Sequence, residues 1–265
     1  MKVYVSADIE GVTNVTHWDE ADLRKQEFQA SREQMTAEVA AACEGALEAG
    51  ATEIWVKDAH DTARNLIAAR LPQAARLIRG WSGHPFMMGQ ELDASFLGIV
   101  LVGYHARAAS AASPLAHTLT SAFTQMTFNG QPVSEFLIQA YLGCYLKVPV
   151  IFISGDKGVC DEATQFNPQI ETVAVKEGIG NSTLNLHPEL ARTKIRAGVA
   201  KALKTDPARC LNPLPDHFAV ELQCREAAKA YHDSFFPGAG LKDALTVQFE
   251  ADDYFEVLRF LLFVA

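Results

Sequence analysis

The chain has 265 residues, enough for a substantial core in one large domain or two modest ones. Its 49% hydrophobic and 21% charged residues are the balance of an ordinary globular protein. A net charge of −9 argues against nucleic acid and anionic membranes as partners, because phosphate binding needs a basic face; metal cations or small polar substrates fit better.

Val3 to Ala7 reads as a buried strand that runs into Asp8-Ile9-Glu10-Gly11. Side chains two apart on a strand share a face, so Asp8 and Glu10 put two carboxylates together at the strand's end, and Gly11 lets the chain turn away. Carboxylates that close repel each other unless a cation or a shared proton intervenes. Gln29 to Glu48 is an Ala-, Glu- and Met-rich helix with a glycine C-cap at Gly50. Thr52 to Asp58 is a second strand with Ala59-His60-Asp61 at its exit, and Leu97 to Val102 is a third, leaving through Gly103-Tyr104-His105. Between Ser110 and Val133 the pattern weakens, with a turn at Asn129-Gly130; Val133 to Leu146 then reads as a helix with Glu135 in its first turn. Val148 to Ser154 is another short apolar run, and Ser154 to Gly158 lacks the spacing of a phosphate loop and reads as a strand-to-helix turn. From about residue 181 the style changes: His187 to Lys204 is an amphipathic helix, and Ala219 to Gln223 and Ala244 to Phe249 are alternating strands, each followed by a helix-like run.

This alternation predicts an α/β fold, a mostly parallel sheet flanked by helices, with a smaller α/β lobe at the C-terminal side. The expected division is a metal-binding catalytic region over 1–180 and the smaller lobe over 181–265. In such sheets ligands collect beyond the carboxyl ends of the strands, and three of the first strands deliver Asp8 and Glu10, His60 and His105 to that end. The five cysteines are scattered without C-x-x-C or zinc-finger spacing, as expected of buried thiols in a reducing compartment. Acidic residues arrive by Asp8, before any apolar run long enough for a signal peptide, and the stretch from Phe96 to Tyr104 is too short to span a bilayer. A cytoplasmic location is the expectation.

Sites that hold two metal ions mix carboxylates, which supply compensating charge, with neutral imidazoles, which suit zinc and other borderline metals. This chain offers Asp8, Glu10, His60, His105 and Glu135 as such a set, with His117 as a spare base. Singly each has a plain structural reading: a polar pair at a turn, a loop imidazole beside Asp61, a buried histidine after an apolar strand, a glutamate favouring a helix dipole. Their convergence on one sheet edge lifts the set above those readings.

The opening Ser6-Ala7-Asp8-Ile9-Glu10-Gly11 resembles the S-x-D-x-E-G signature of the bacterial D-aminopeptidase family of dizinc metallopeptidases. Further segments resemble that family in the same order: Lys57-Asp58-Ala59-His60, Gly103-Tyr104-His105-Ala106-Arg107-Ala108, Ala116-His117-Thr118, Pro132-Val133-Ser134-Glu135, Ala174-Val175-Lys176 and Val247-Gln248-Phe249. The resemblance implies two zinc ions per chain, with Asp8 bridging, Glu10 and His60 completing one site, and His105 and Glu135 the other. It implies that His117 is the catalytic histidine that ligates neither ion, acting as general acid or as a donor to the tetrahedral intermediate. It also implies a short peptide with an amino-terminal D-residue as substrate, and a ring-like homo-oligomer, with a decamer as the candidate size. Ala59 stands where the family commonly has serine, and the loop from Thr13 to Asp19 is variable, which bears on substrate preference.

The ligand set alone equally serves another dimetal hydrolase, an amidase or phosphoesterase, or a non-catalytic metal-binding assembly protein. Asp58 and Asp61 are candidates for orienting an imidazole, and the Thr13 to Asp19 loop and the segment near Gly178 to Ser182 are candidate pocket walls. His84, His187, His217 and His232 have no motif around them and read as structural. The run from Phe260 to Val264 reads as core or as a subunit contact.

Overall fold

The computed structural model describes all 265 residues. In chain order the strands are β1 (Lys2–Ala7), β2 (Glu53–Asp58), β3 (Ala75–Ile78), β4 (Ile99–Tyr104), β5 (Phe123–Phe128), β6 (Gln131–Pro132), β7 (Val150–Asp156), β8 (Glu171–Ile179), β9 (Ser182–Asn185), β10 (Phe218–Cys224), β11 (Gly240–Leu241) and β12 (Thr246–Ala251). The helices are α1 (Trp18–Ala21), α2 (Phe28–Glu48), α3 (Glu135–Leu146), α4 (Lys157–Phe166), α5 (Pro188–Ala202), α6 (Ala227–Asp233) and α7 (Tyr254–Val264).

Seven strands form one sheet in the order β3-β2-β1-β4-β7-β8-β9. Every neighbouring pair is parallel except β8 and β9, which form an antiparallel hairpin. The chain winds one way from β1 through β2 to β3 and the other way from β4 through β7 to β8. The order therefore reverses between β1 and β4, and a crevice opens there beyond the carboxyl ends of the strands. Strands buried on both faces need continuous apolar runs, and Val3 to Ala7 and Ile99 to Tyr104 are buried throughout.

Two glycines make that crevice tight. Gly11 has no left-handed φ; it is required because a Cβ there would lie 1.7 Å from the carbonyl oxygen of Tyr104, while its N–H donates to the carbonyl of Gly103 at 2.8 Å. The turn expected from Gly11 is thus a backbone-on-backbone contact between the ends of β1 and β4. Gly103 itself sits at φ +74 with its missing Cβ facing the Asp8 carbonyl, a conformation and a space that only glycine accepts.

A second sheet is antiparallel, in the order β11-β12-β10-β5-β6. Its members come from 123–132 and from 218–251, whereas β9 and α5 lie with the large sheet, so the two sheets interleave along the chain. α3 packs on β4 and β7 and also on α7, which lies in turn on β10 and β12. The two sheets therefore share one cluster of 66 buried residues. No helix is long and apolar enough to cross a membrane.

Candidate active site

The site forms where β1, β2 and β4 end. Asp8 and Glu10 follow β1, His60 follows β2 by two residues, His105 follows β4, and Glu135 opens α3. All five are buried. His117, from the segment between β4 and β5, closes over them with its side chain 14% exposed.

Asp8 turns its two carboxylate oxygens in different directions. Oδ1 lies 3.2 Å from His60 Nδ1, which is also 3.1 Å from Glu10 Oε2. Oδ2 lies 3.5 Å from His105 Nε2, which is also 3.5 Å from Glu135 Oε2. His117 Nε2 stands 3.8 Å from Glu135 Oε1. The predicted residues are brought together, as two sets of donors with Asp8 between them.

Backbone carbonyls fix which nitrogen of each imidazole faces inward. His60 Nε2 donates to the Ala21 carbonyl at 2.7 Å, leaving the Nδ1 lone pair for the site. His105 Nδ1 donates to the Ala106 carbonyl at 3.0 Å and His117 Nδ1 to the Leu115 carbonyl at 3.0 Å, leaving both Nε2 lone pairs inward. This is how ligating imidazoles are held: the outer N–H is spent on an acceptor and the inner nitrogen is left basic. Asp58 and Asp61 do not contact the imidazoles. Asp58 instead accepts from the Asn65 and Leu66 N–H groups at 2.6 and 2.7 Å, and Asn65 Nδ2 reaches the His60 carbonyl at 2.6 Å, so Asp58 shapes the loop that carries His60.

The electrostatics are those of a cluster that wants cations. Burial and then the neighbouring Glu10 charge push the Asp8 carboxyl up to about 6. Burial would raise Glu10 too, but His60 beside it carries its carboxyl well below the usual range. Burial opposes protonation of His60 and His105, yet Glu10 and Glu135 respectively raise both imidazoles well above their ordinary value. Protons on the imidazoles thus balance the carboxylates, and cations at the same positions would replace them. Glu10 Oε2 and His105 Nε2 are buried without a hydrogen-bond partner, the condition expected of atoms that donate electron pairs to an ion. The donor set of three carboxylates and two or three imidazoles fits zinc.

Further residues hold the arrangement. The Leu119 N–H donates to Glu135 Oε1 at 2.7 Å. Asp156, at the turn between β7 and α4, accepts from the Ala106 N–H at 2.8 Å and caps α4 through Val159. His105 and His117 stack with centroids 4.3 Å apart and planes 5° from parallel, and Trp18 meets His117 edge-on at 5.2 Å. Of the expected pocket walls, Trp18 and Asp19 reach the site, while β9 braces their loop through Asn185 on the Asn14 N–H and Thr183 on Thr16. His187 caps α5, and His217 and His232 pair with Asp252 and Asp233, as structural histidines do. His84 likewise holds a turn, its Nδ1 accepting from the Phe86 N–H at 3.1 Å, and it also lines a cavity beside the site together with Trp81 and Met87. Trp81 and His84 lie in irregular chain and Met87 opens a single 3-10 turn (Met87–Gly89), so no period marks them.

The family profile described as D-aminopeptidase matches residues 1–263. A D-aminopeptidase of Bacillus subtilis (strain 168) is 32% identical over 265 residues, spanning 99% of this chain and 96% of that protein. Among solved structures, a Zn-dependent D-aminopeptidase from Bacillus subtilis, described as a self-compartmentalizing protease, superposes with a TM-score of 0.93 at 31% identity, covering 100% of this chain and 96% of the other. Profile, relative and fold agree over essentially the whole length, and the chain belongs to the D-aminopeptidase family.

Proposed function

We propose that this chain is a dizinc aminopeptidase that releases a D-residue from the amino end of short peptides. Asp8 would be shared between the two ions, Glu10 and His60 would hold one and His105 and Glu135 the other, with His117 as the acid–base group. The observation that carries this reading is the divergence of the two Asp8 oxygens toward two separate donor sets. When bound, zinc in such a pair supplies Lewis acidity toward the scissile carbonyl and acidifies the attacking water.

The remaining work belongs to the protein. His117 has spent its Nδ1–H on Leu115, so Nε2 is the atom that takes a proton and returns it to the departing amine. Stacking on His105 and the Trp18 edge keep that ring in one orientation. The buried floor of the site keeps its charges in a low dielectric, where they act strongly on charge that develops during the reaction. Family membership and the Zn-dependent relative support zinc and the D-peptide substrate. The self-compartmentalizing relative supports a homo-oligomer, and the family resemblance of the sequence adds a ring, with a decamer as the candidate size. The five free cysteines suit a reducing cytoplasm.

Metal content measured beside hydrolysis of a D-alanyl peptide tests the reading. Wild type is expected to carry about two equivalents of zinc. Asp8→Ala should lose metal and activity together, and His117→Ala should keep its metal while turnover falls about 10²–10⁴-fold. Full metal retention in Asp8→Ala would overturn the bridging role, and phosphoester cleavage without peptide cleavage would overturn the reaction class.

A further inference from the structure

The site opens on one side into a cavity of about 330 Å³ whose lining includes His60, His117 and Glu135. Trp81, Met87, Met88, Leu119 and Leu262 form an apolar wall on it, with Asp61, His84 and Gln90 at its polar margins. Its size is at the lower end for small-molecule pockets and gives room for a large side chain. A second cavity of about 390 Å³ meets the site from the other side, shares Asp61 with the first, and adds the charged side chains of Glu10, Asp19, Asp22 and Arg24. A peptide's polar backbone and charged end find partners there. A large apolar side chain finds its more extensive apolar contact against Trp81, the methionines and Leu262.

The apolar wall is fixed rather than loose. Trp81 donates its indole N–H to the Asp61 carbonyl at 2.7 Å, and Lys57 Nζ lies 3.8 Å from the indole centroid while donating to the Gly80 carbonyl at 2.6 Å. Asp61, Met87 and Leu119 line the cavity from left-handed backbone, at φ 41, 46 and 62. Strained conformations of this kind persist only where the surroundings over-determine them, and they gather at functional sites. Leu119 shows the link directly: the backbone that points its N–H at Glu135 also carries the side chain that walls the cavity.

We propose that this cavity is the subsite for the side chain of the substrate's amino-terminal residue, and that it selects large apolar or aromatic side chains over a methyl group. The assignment rests on the aminopeptidase reading above. Three D-aminoacyl peptides that share the same leaving portion, with D-Phe, D-Leu or D-Ala first, are compared by kcat/KM on the zinc-loaded enzyme. D-Phe and D-Leu are expected to exceed D-Ala by about tenfold or more, the scale on which apolar pockets discriminate. Trp81→Ala should narrow the D-Phe to D-Ala ratio by about tenfold, chiefly through KM; Met87→Ala, measured separately, should narrow it in the same direction and decides the matter if Trp81→Ala does not fold. A wild-type preference for D-Ala, or ratios unchanged in both variants, would overturn the subsite. Failure to cleave any of the three would overturn the aminopeptidase reading itself, and the subsite with it.

Discussion

Lys176 is buried on β8, and no ion pair holds its ammonium; Nζ donates to the carbonyl oxygens of Glu10 and Val15. Burial pushes this lysine down to about 8 despite the attraction of Asp156 and Glu10. A fold that keeps so costly a group in place is using it. The two carbonyls bracket the turn that starts at a site carboxylate and leads to Trp18, and Glu38 fixes the same turn by accepting from the Thr13 N–H at 3.1 Å. Lys176→Met fills the space of the stem but leaves both carbonyls without a donor, at about 1–3 kcal/mol for each buried group. The expected outcome is a lower melting temperature together with weaker zinc binding, because the Glu10 peptide loses its anchor. Competition with a chelator measures the second effect; zinc affinity equal to wild type would confine Lys176 to stability.

At the scale of elements, α3 and α4 carry a linked cap. Ser134 accepts from the Leu137 N–H at 3.1 Å as N-cap of α3 and donates its hydroxyl to Glu162 Oε1 of α4 at 2.8 Å. That cap starts the helix one residue before Glu135, whose carboxylate is favoured at a helix N-terminus. Burial pushes the Glu162 carboxyl up to about 6 from its ordinary 4.5, with the Ser134 hydrogen bond opposing the rise. A raised acid binds more protons folded than unfolded, so its contribution to stability is full below about 4.5 and is lost as pH rises through about 6. Glu162→Gln keeps the acceptor for Ser134 and removes that loss. It should exceed wild type by about 1–2 kcal/mol in urea unfolding at pH 7.5 and match it near pH 4. An equal difference at both pH values would refute the ionisation account.

The elements legible in the sequence are those whose reason is local. The strands β1 and β4 are continuous apolar runs, the helix α2 ends in a glycine at φ +95, and each predicted site residue sits at a strand exit, a helix start or beside a motif. What the sequence hides depends on distant partners. Phe123 to Phe128 reads half polar, and it becomes a strand by pairing with β10, in a register that joins Phe128 to Val220. The imidazole orientations rest on carbonyls of Ala21, Ala106 and Leu115, and a carbonyl has no sequence signature. Gly11 is necessary because Tyr104 approaches it from the end of the adjacent strand β4, which its own neighbours in sequence do not announce.

The whole molecule places its site on the seam between its two sheets. Asp8, Glu10, His60 and His105 come from the parallel sheet, His117 from the segment leading into β5 of the antiparallel one, and Leu262 of α7 walls the cavity between. The antiparallel side also carries aromatic rings that its own core does not use: Tyr231 and Phe235 are 61% and 69% exposed, and Phe263, whose ring lies 6.1 Å from that of Phe236, is 67% exposed. Clustered apolar surface of this sort marks a contact between chains, and stable homomeric contacts bury about 2,000 Å² or more. If these rings lie in the subunit contact of the proposed oligomer, two charges placed there would be buried without partners in a dry interface. Wild type should sediment as a discrete multiple of the chain mass, and the double variant Phe235→Glu with Phe263→Glu should shift to smaller species. Far-ultraviolet circular dichroism of the variant should stay that of the folded chain, because both rings are already solvent-exposed within one subunit and their loss costs its core only about 0.5 kcal/mol each. A double variant of undiminished mass would move the contact to the other exposed apolar edge, Ile179 and Leu184 on the β8–β9 hairpin.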